Sequence, residues 1–425
     1  MYNNGKQKIF KYTTSDVHQG TFLEKKITNI VIRFIIKLNG KLDIERFKQT
    51  VQLTIEKFPI ISCKFYEHFF SAEWKFQEYP IEDFVVIEEN KNNNEETENE
   101  LLMKYYYKDL DYKNGPQVRF AIIQSSDHDS LCITINHMIC DGVGFKEFLY
   151  MFCDLYTYPE HINNYPEIGD RSYMQLFKNL TLKEKWNILT TDMVNPFKEV
   201  HLDLKGDLNR PFVEIRSLTE EDYFKLKEYS KAKGVTLNDL FFTAMMRTLY
   251  NIFNRTVGII CDINLRKFLK DKKTECITNM STALDCRVGD EIGDTFEETL
   301  NKVSKSLGKQ KNDITCTKGD YLLEIFRQIL PYRLVKFLLE TFTPVCSFEM
   351  SNLGIIDKSK TLFKNVQPTS VIFSGSTVCA PIFEFSASTY DNIITFSVNL
   401  YGTPEDQKVI NDVLDNYIKE LTSII

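Results

Sequence analysis

The chain has 425 residues, 52 Lys and Arg against 59 Asp and Glu, a formal net charge of −7, and 43% hydrophobic residues. That length favours two domains over one core, and the acidic balance argues against a nucleic-acid partner, which would need a basic stripe; no such stripe appears. No segment approaches the roughly 18 uninterrupted apolar residues of a transmembrane helix, and the polar start, Met1 to Lys8, lacks a signal peptide's apolar core, so a cytoplasmic protein is expected.

Residues Asn29 to Leu38 alternate and then run apolar, which predicts a strand. Gly40-Lys41-Leu42-Asp43 then leads into a helix carrying Phe47, Val51, Leu53 and Ile55, which Phe58-Pro59 stops, and a second strand follows at Ile61 to Tyr66. The acidic, Asn-rich tract Glu88 to Glu100 reads as an exposed and mobile surface insertion. A Gly115-Pro116 turn feeds a strand, Gln117 to Gln124, able to pair as a hairpin with Ser130 to Ile135, whose Leu131, Ile133 and Ile135 share a face with His137. Val143 to Phe152 places Phe145, Phe148, Leu149 and Phe152 on one helix face.

From Tyr158 to Asn209 the alternation is lost; Pro159, Pro166 and Pro196 punctuate a crossover with one helix, Leu182 to Leu189. A second α/β pattern begins with a helix from Thr219 to Lys233, broken by Gly234, and another capped by Thr236 or Asn238. Strands are expected at Val257 to Asn264, Ser281 to Arg287, Val345 to Met350, Val371 to Phe373, Ile382 to Ser388 and Ile393 to Leu400, with a closing amphipathic helix from Glu405 to Ile424. The expected division is residues 1–165, a linker 166–209, and residues 210–425. Ten cysteines include no C-x-x-C pair, so reduced thiols and no metal site are expected.

His137-x-x-x-Asp141-Gly142 stands between the predicted strand and helix. An imidazole titrates near neutral pH and can take a proton from a weak nucleophile, provided its ring is fixed; Asp141 can accept local backbone bonds or pair with a distant Arg, and Gly142 permits a close approach. The alternative is a core histidine satisfied by hydrogen bonds.

With this motif, the order of Phe58-Pro59-Ile60-Ile61, Asp111-x-x-x-Gly115-Pro116-x-x-Arg119, Val235-Thr236-Leu237-Asn238-Asp239-Leu240, Ile263-Asn264-Leu265-Arg266 and Ser351-Asn352-Leu353-Gly354 resembles the CoA-dependent acyltransferase superfamily. That superfamily includes chloramphenicol acetyltransferases, condensation domains, wax ester synthases and alcohol acetyltransferases. The resemblance implies an α/β fold of the α+β sandwich type: two chloramphenicol-acetyltransferase-like domains forming a pseudo-dimer with an interdomain tunnel.

It further implies an acyltransferase moving an acyl group from an acyl-CoA thioester to a small-molecule alcohol or amine, with His137 as general base and direct attack through a tetrahedral intermediate. Asp141 would pair with Arg266 to hold the loop, the alternative being an ordinary surface arginine, and Gly142, Ser351 and Asn352 are candidate oxyanion donors; the alternative for Ser351-Asn352 is a polar turn after a strand. A covalent role for Cys140 is disfavoured, because it lies three residues from His137 in a tight loop. Acyl-CoA or a phosphopantetheine thioester is the expected co-substrate, with no tightly bound cofactor, no metal, and a monomeric or weakly associated chain. Two alternatives stand beside this: a free-standing condensation enzyme taking its donor from an acyl carrier protein, and a non-catalytic acyl-CoA-binding module. Asn136 departs from the two adjacent histidines of condensation domains and wax ester synthases, which tilts the expectation toward alcohol acetyltransferases.

Overall fold

Two mixed sheets, each covered by helices, organise the computed structural model, which describes residues 8–192, 200–343 and 345–425. Most of the polar start, Met1 to Gln7, and Pro196 of the expected crossover lie outside the described residues.

The first sheet runs in the order Pro368–Ser374, Val31–Leu38, Asp129–Asn136, Val118–Gln124, Val85–Glu89. The predicted hairpin forms, Val118–Gln124 pairing antiparallel with Asp129–Asn136. All eight residues of Asp129–Asn136 are buried, so this strand is covered on both faces rather than on one. Leu131, Ile133 and Ile135 pack with Phe145, Phe148 and Phe152 of the helix Gly142–Thr157, while Cys132 faces Leu102, Tyr105 and Tyr106 of the helix Glu95–Tyr106.

That second helix begins inside the tract Glu88 to Glu100, whose residues are mostly exposed, as expected; the tract is not an irregular insertion but a strand end, a turn and the first turns of a helix. Asn94 caps it by accepting the Thr97 N–H at 2.8 Å, Glu95, Glu96 and Glu98 occupy its first turn, and Glu98 is itself buried. Acidic side chains are favourable at a helix N-terminus. The residues that bury this helix, Leu102, Tyr105 and Tyr106, lie beyond the tract, so the tract alone reads as solvent.

The second sheet runs Ser281–Cys286, Ile259–Asn264, Phe348–Ile356, Phe383–Tyr390, Ile393–Tyr401, Val378–Cys379, with Ile393–Tyr401 also pairing with Pro211–Ser217. Ser351 and Asn352, expected in a polar loop, sit inside the strand Phe348–Ile356. Asn352 Oδ1 accepts the Gly354 N–H at 2.8 Å, Gly354 adopts a φ of 74°, and the register shifts between Asn352 and Ile355. The local turn is therefore a bulge in a continuing strand.

The chain beyond residue 210 does not build one lobe alone. Pro368–Ser374 crosses to the first sheet, with Val371 opposite Ile36 and Phe373 opposite Phe34. Tyr332, Val335 and Leu339 of the helix Tyr332–Phe342 join the first lobe's core. Further helices include Thr14–Glu24, Ile44–Lys57, Glu220–Lys233, Leu237–Phe253, Phe296–Lys311, Lys318–Ile329 and Pro404–Thr422. All ten cysteines are free thiols. Among the described residues, no helix is long and apolar enough to cross a membrane.

Candidate active site

The strand Asp129–Asn136 ends at the residue before His137, and Asn136 shapes the turn beyond it. Its side-chain oxygen accepts the Met138 N–H at 2.9 Å, its carbonyl accepts the Ile139 N–H at 3.1 Å, and its amide donates to Gln117 Oε1 at 2.7 Å. A turn held this way directs His137 out of the sheet. The His137 N–H donates to the carbonyl of Ile30 at 2.8 Å, and Ile30 holds a φ of 47°. A β-branched residue in that region is strained by about 1–3 kcal/mol, and the surrounding packing must hold it there. Asn279 Nδ2 donates to the carbonyls of both His137 and Met138 at 3.0 Å.

Asp141 caps the helix Gly142–Thr157, accepting the Gly144 N–H at 2.7 Å. It also accepts Arg266 Nη1 at 2.9 Å, Arg266 Nη2 at 3.2 Å and the Met280 N–H at 2.7 Å. Burial alone would raise this carboxyl, but the Arg266 charge and these donors hold it below its ordinary value. With four donors directed at its two oxygens, Asp141 fixes the loop and has no free lone pair directed at substrate. Arg266 is buried in turn, donating to the Thr278 carbonyl at 2.9 Å.

Close approach requires glycine at 144 and leaves little room for a side chain at Gly142. A Cβ at Gly142 would lie 3.2 Å from Phe373 and 3.3 Å from Leu353; one at Gly144 would lie 2.8 Å from the Thr278 carbonyl oxygen. Burial pushes the Cys140 thiol well above its ordinary pKa, so it is no ready nucleophile.

A cavity of about 740 Å³ opens beside His137 and Gly142, within the size range of small-molecule sites. Both halves of the chain line it. One wall is apolar, with Phe22, Leu323, Phe326, Leu339 and Phe342; another carries Asp262, Glu349, Glu384 and Ser351 from adjacent strands of the second sheet. Glu349 and Glu384 stand directly opposite in the register. Burial raises all three carboxyls: Asp262 moves up, Glu349 goes well above its ordinary value, and Glu384 reaches about 8. His18 also lines the cavity; burial, then the nearby His137, lowers its pKa to about 4, so it is neutral at pH 7. Among the described residues, none of the cavity's lining side chains is a lysine or arginine.

The structure thus brings His137, Gly142 and Ser351 onto one cavity and joins Asp141 to Arg266 behind it. Asn352 is not on the lining; it donates to Asn238 Oδ1 at 3.1 Å. Sequence reasoning missed His18, Asn279 and the four carboxyls that line the cavity, Asp320 with the three on the sheet wall. Only His18 had a usable signal nearby, the Thr13-x-x-Asp16 capping box that opens its helix.

The Condensation domain family profile matches residues 20–187, a span that contains His137, Asp141 and Gly142. Surfactin synthase subunit 2 from Bacillus subtilis is 22% identical over 164 residues, covering 35% of this chain, and the chain spans 4% of that relative's length. Among solved structures, the epimerization domain from the third module of tyrocidine synthetase B superposes with a TM-score of 0.67 at 17% identity, covering 100% of this chain and 97% of that one. The trichothecene 15-O-acetyltransferase of Fusarium sporotrichioides gives 0.70 at 11% identity, covering 100% and 97%. The first condensation domain of the calcium-dependent antibiotic synthetase gives 0.69 at 11% identity, covering 99% and 97%. The chain therefore has the two-lobed α/β fold of the condensation-domain and chloramphenicol acetyltransferase superfamily, a fold used by transferase-type enzymes. The matches to condensation and epimerization domains shift the expectation away from a specifically CoA-dependent acyltransferase.

Proposed function

We propose that this protein is a condensation-type acyltransferase, moving an acyl group from a phosphopantetheine-tethered thioester, with an acyl carrier protein as donor, to a nucleophile held between the lobes. The observation that carries this is His137 at the end of a buried strand, its turn pinned by hydrogen bonds, beside a cavity built from both halves. His137 takes the proton as the nucleophile attacks the thioester carbonyl; the tetrahedral oxyanion is met by the Gly142 N–H, in the first turn of its helix, and by Ser351. Thiol leaves as the intermediate collapses, and the proton on His137 passes to it.

Four acidic side chains, Asp262, Asp320, Glu349 and Glu384, and no lysine or arginine on the cavity's described lining support an amine as the nucleophile over an anionic acceptor. The family profile spans the part of the chain that carries the motif, which supports the carrier-bound donor. The second reading, acyl-CoA as donor and a hydroxyl acceptor, is supported by the likeness to the 15-O-acetyltransferase.

Thiol release from carrier-loaded acyl groups and from matched acyl-CoAs, each with mixed amines and alcohols, tests both. Acceptor-dependent release from the carrier, reduced about 100-fold or more in His137→Ala, is the expected result. Release confined to acyl-CoA would transfer the assignment to the second reading, and equal rates in wild type and His137→Ala would remove both.

A further inference from the structure

The His137 turn has a second buried ion pair against it, one that neither the motif nor the Asp141–Arg266 pair accounts for. Arg171 lies in the segment between the lobes and Asp16 in the helix Thr14–Glu24, and both side chains are almost wholly buried. Arg171 Nη2 donates to Asp16 Oδ1 at 2.9 Å and Nη1 to Asp16 Oδ2 at 3.4 Å. The same Nη2 lies 3.4 Å from the carbonyl oxygens of Met138 and Ile139, the two residues after His137.

Asp16 is occupied on its other sides. Its Oδ2 accepts the Thr13 N–H at 2.8 Å and the indole N–H of Trp74 at 2.9 Å, which ties it to the helix cap and to the strand Ala72–Phe76 of a third, three-stranded sheet. The Arg171 carbonyl accepts Thr278 Oγ1 at 2.7 Å, and the Thr278 carbonyl accepts Arg266, the partner of Asp141. One continuous chain of bonds therefore runs from the helix bearing His18 and Phe22, through Arg171, to both ends of the His137 loop. An ion pair needed only for stability could sit anywhere in the core; in this one the Nη2 that binds Asp16 also faces the carbonyls of the two residues after His137.

We infer that Arg171 and Asp16 are positioning residues for His137: the guanidinium, oriented by Asp16, holds the Met138 and Ile139 carbonyls and so fixes the direction of the imidazole relative to the cavity wall formed by His18 and Phe22. As a role in acyl transfer this rests on the function proposed above; as a statement about the turn it stands alone. Displacing a reacting group by an ångström is enough to slow a reaction about 100-fold, so the effect belongs in kcat.

The test uses the full chain and two readouts. In Arg171→Gln and Asp16→Asn, kcat for the active thioester should fall about 100-fold with KM within about threefold of wild type, and Arg171→Lys should recover part of the loss. In the same variants, amide hydrogen exchange at His137, Met138 and Ile139 should accelerate at least about tenfold, while the remote strand Phe383–Tyr390 keeps its protection. Arg247→Gln, which breaks a largely shielded pair with Glu420 in the second lobe, is the control and should leave kcat unchanged. Unchanged kcat, or a loss matched by Arg247→Gln, with exchange at the turn unaltered, would overturn the inference. If Arg171→Gln does not fold, Asp16→Asn and Arg171→Lys carry the same comparison. Should His137→Ala turn over like wild type, the functional proposal falls, and exchange at the turn alone decides whether Arg171 and Asp16 hold it.

Discussion

Arg266 and Asp141, 125 residues apart in sequence, share two hydrogen bonds of 2.9 and 3.2 Å in a site from which solvent is almost excluded. The pair joins the turn after the strand Ile259–Asn264 of the second sheet to the loop after His137. Arg266→Ala would leave a buried carboxylate with two backbone donors and no counter-charge, and removing one partner of such a pair destabilises by about 3–5 kcal/mol. Urea unfolding of Arg266→Ala should show that loss, and a change below about 1 kcal/mol would mean that the loop relaxes to hydrate Asp141.

Gly144→Ala forces a methyl within 2.8 Å of the Thr278 carbonyl oxygen and 3.0 Å of Cys140 Cβ. Neither can yield without moving the Arg266 acceptor or the motif turn. Overpacking of this kind destabilises by about 1–3 kcal/mol, and the variant should also lose acyl transfer. Thermal unfolding and turnover, measured together, check both halves.

Glu384 has its pKa raised to about 8 in the folded chain by burial, above the ordinary carboxylate value. A raised folded pKa means that the folded state binds the proton more tightly. The associated stability is fully present below about pH 4.5 and is lost as pH rises through about 8. Glu384→Gln should reduce that decline, to which the neighbouring Asp262 and Glu349 also contribute, so that stability falls less between about pH 4.5 and 8 than in wild type by denaturant titration. An amine bound at the carboxyl wall should oppose the same decline in wild type.

His18 has the opposite sign. Its folded pKa of about 4 lies below the ordinary 6.5, so stability is present above pH 6.5 and is lost as pH falls through about 4. His18→Gln should flatten the stability profile across that window by about one proton. An unchanged slope there would show that His18 takes up its proton in the folded state without penalty.

Much of the first lobe is legible in the sequence because its cues are local. The hairpin at Val118–Gln124 and Asp129–Asn136 follows from alternation, and the helix after Asp141 follows from a cap and an apolar face at Phe145, Phe148, Leu149 and Phe152. The helix Glu95–Tyr106 is hidden because its acidic first turn dominates the composition while its buried face comes later. Asn352 adjoins Ser351 in the chain, yet successive strand residues face opposite ways, and only Ser351 reaches the cavity.

The strand, turn and helix around His137, the N-cap chemistry of Asp141 and the need for glycine beside it are written in the order of residues, since each depends on neighbours a few positions apart. Folding in three dimensions was needed to bring Arg171 and Asn279 onto the turn's carbonyls, to carry Pro368–Ser374 into the first sheet, and to set Asp262, Glu349 and Glu384 on one wall. These are contacts between segments distant in the chain. Side-chain periodicity records which face of a strand or helix is buried, and carries no record of which distant segment buries it.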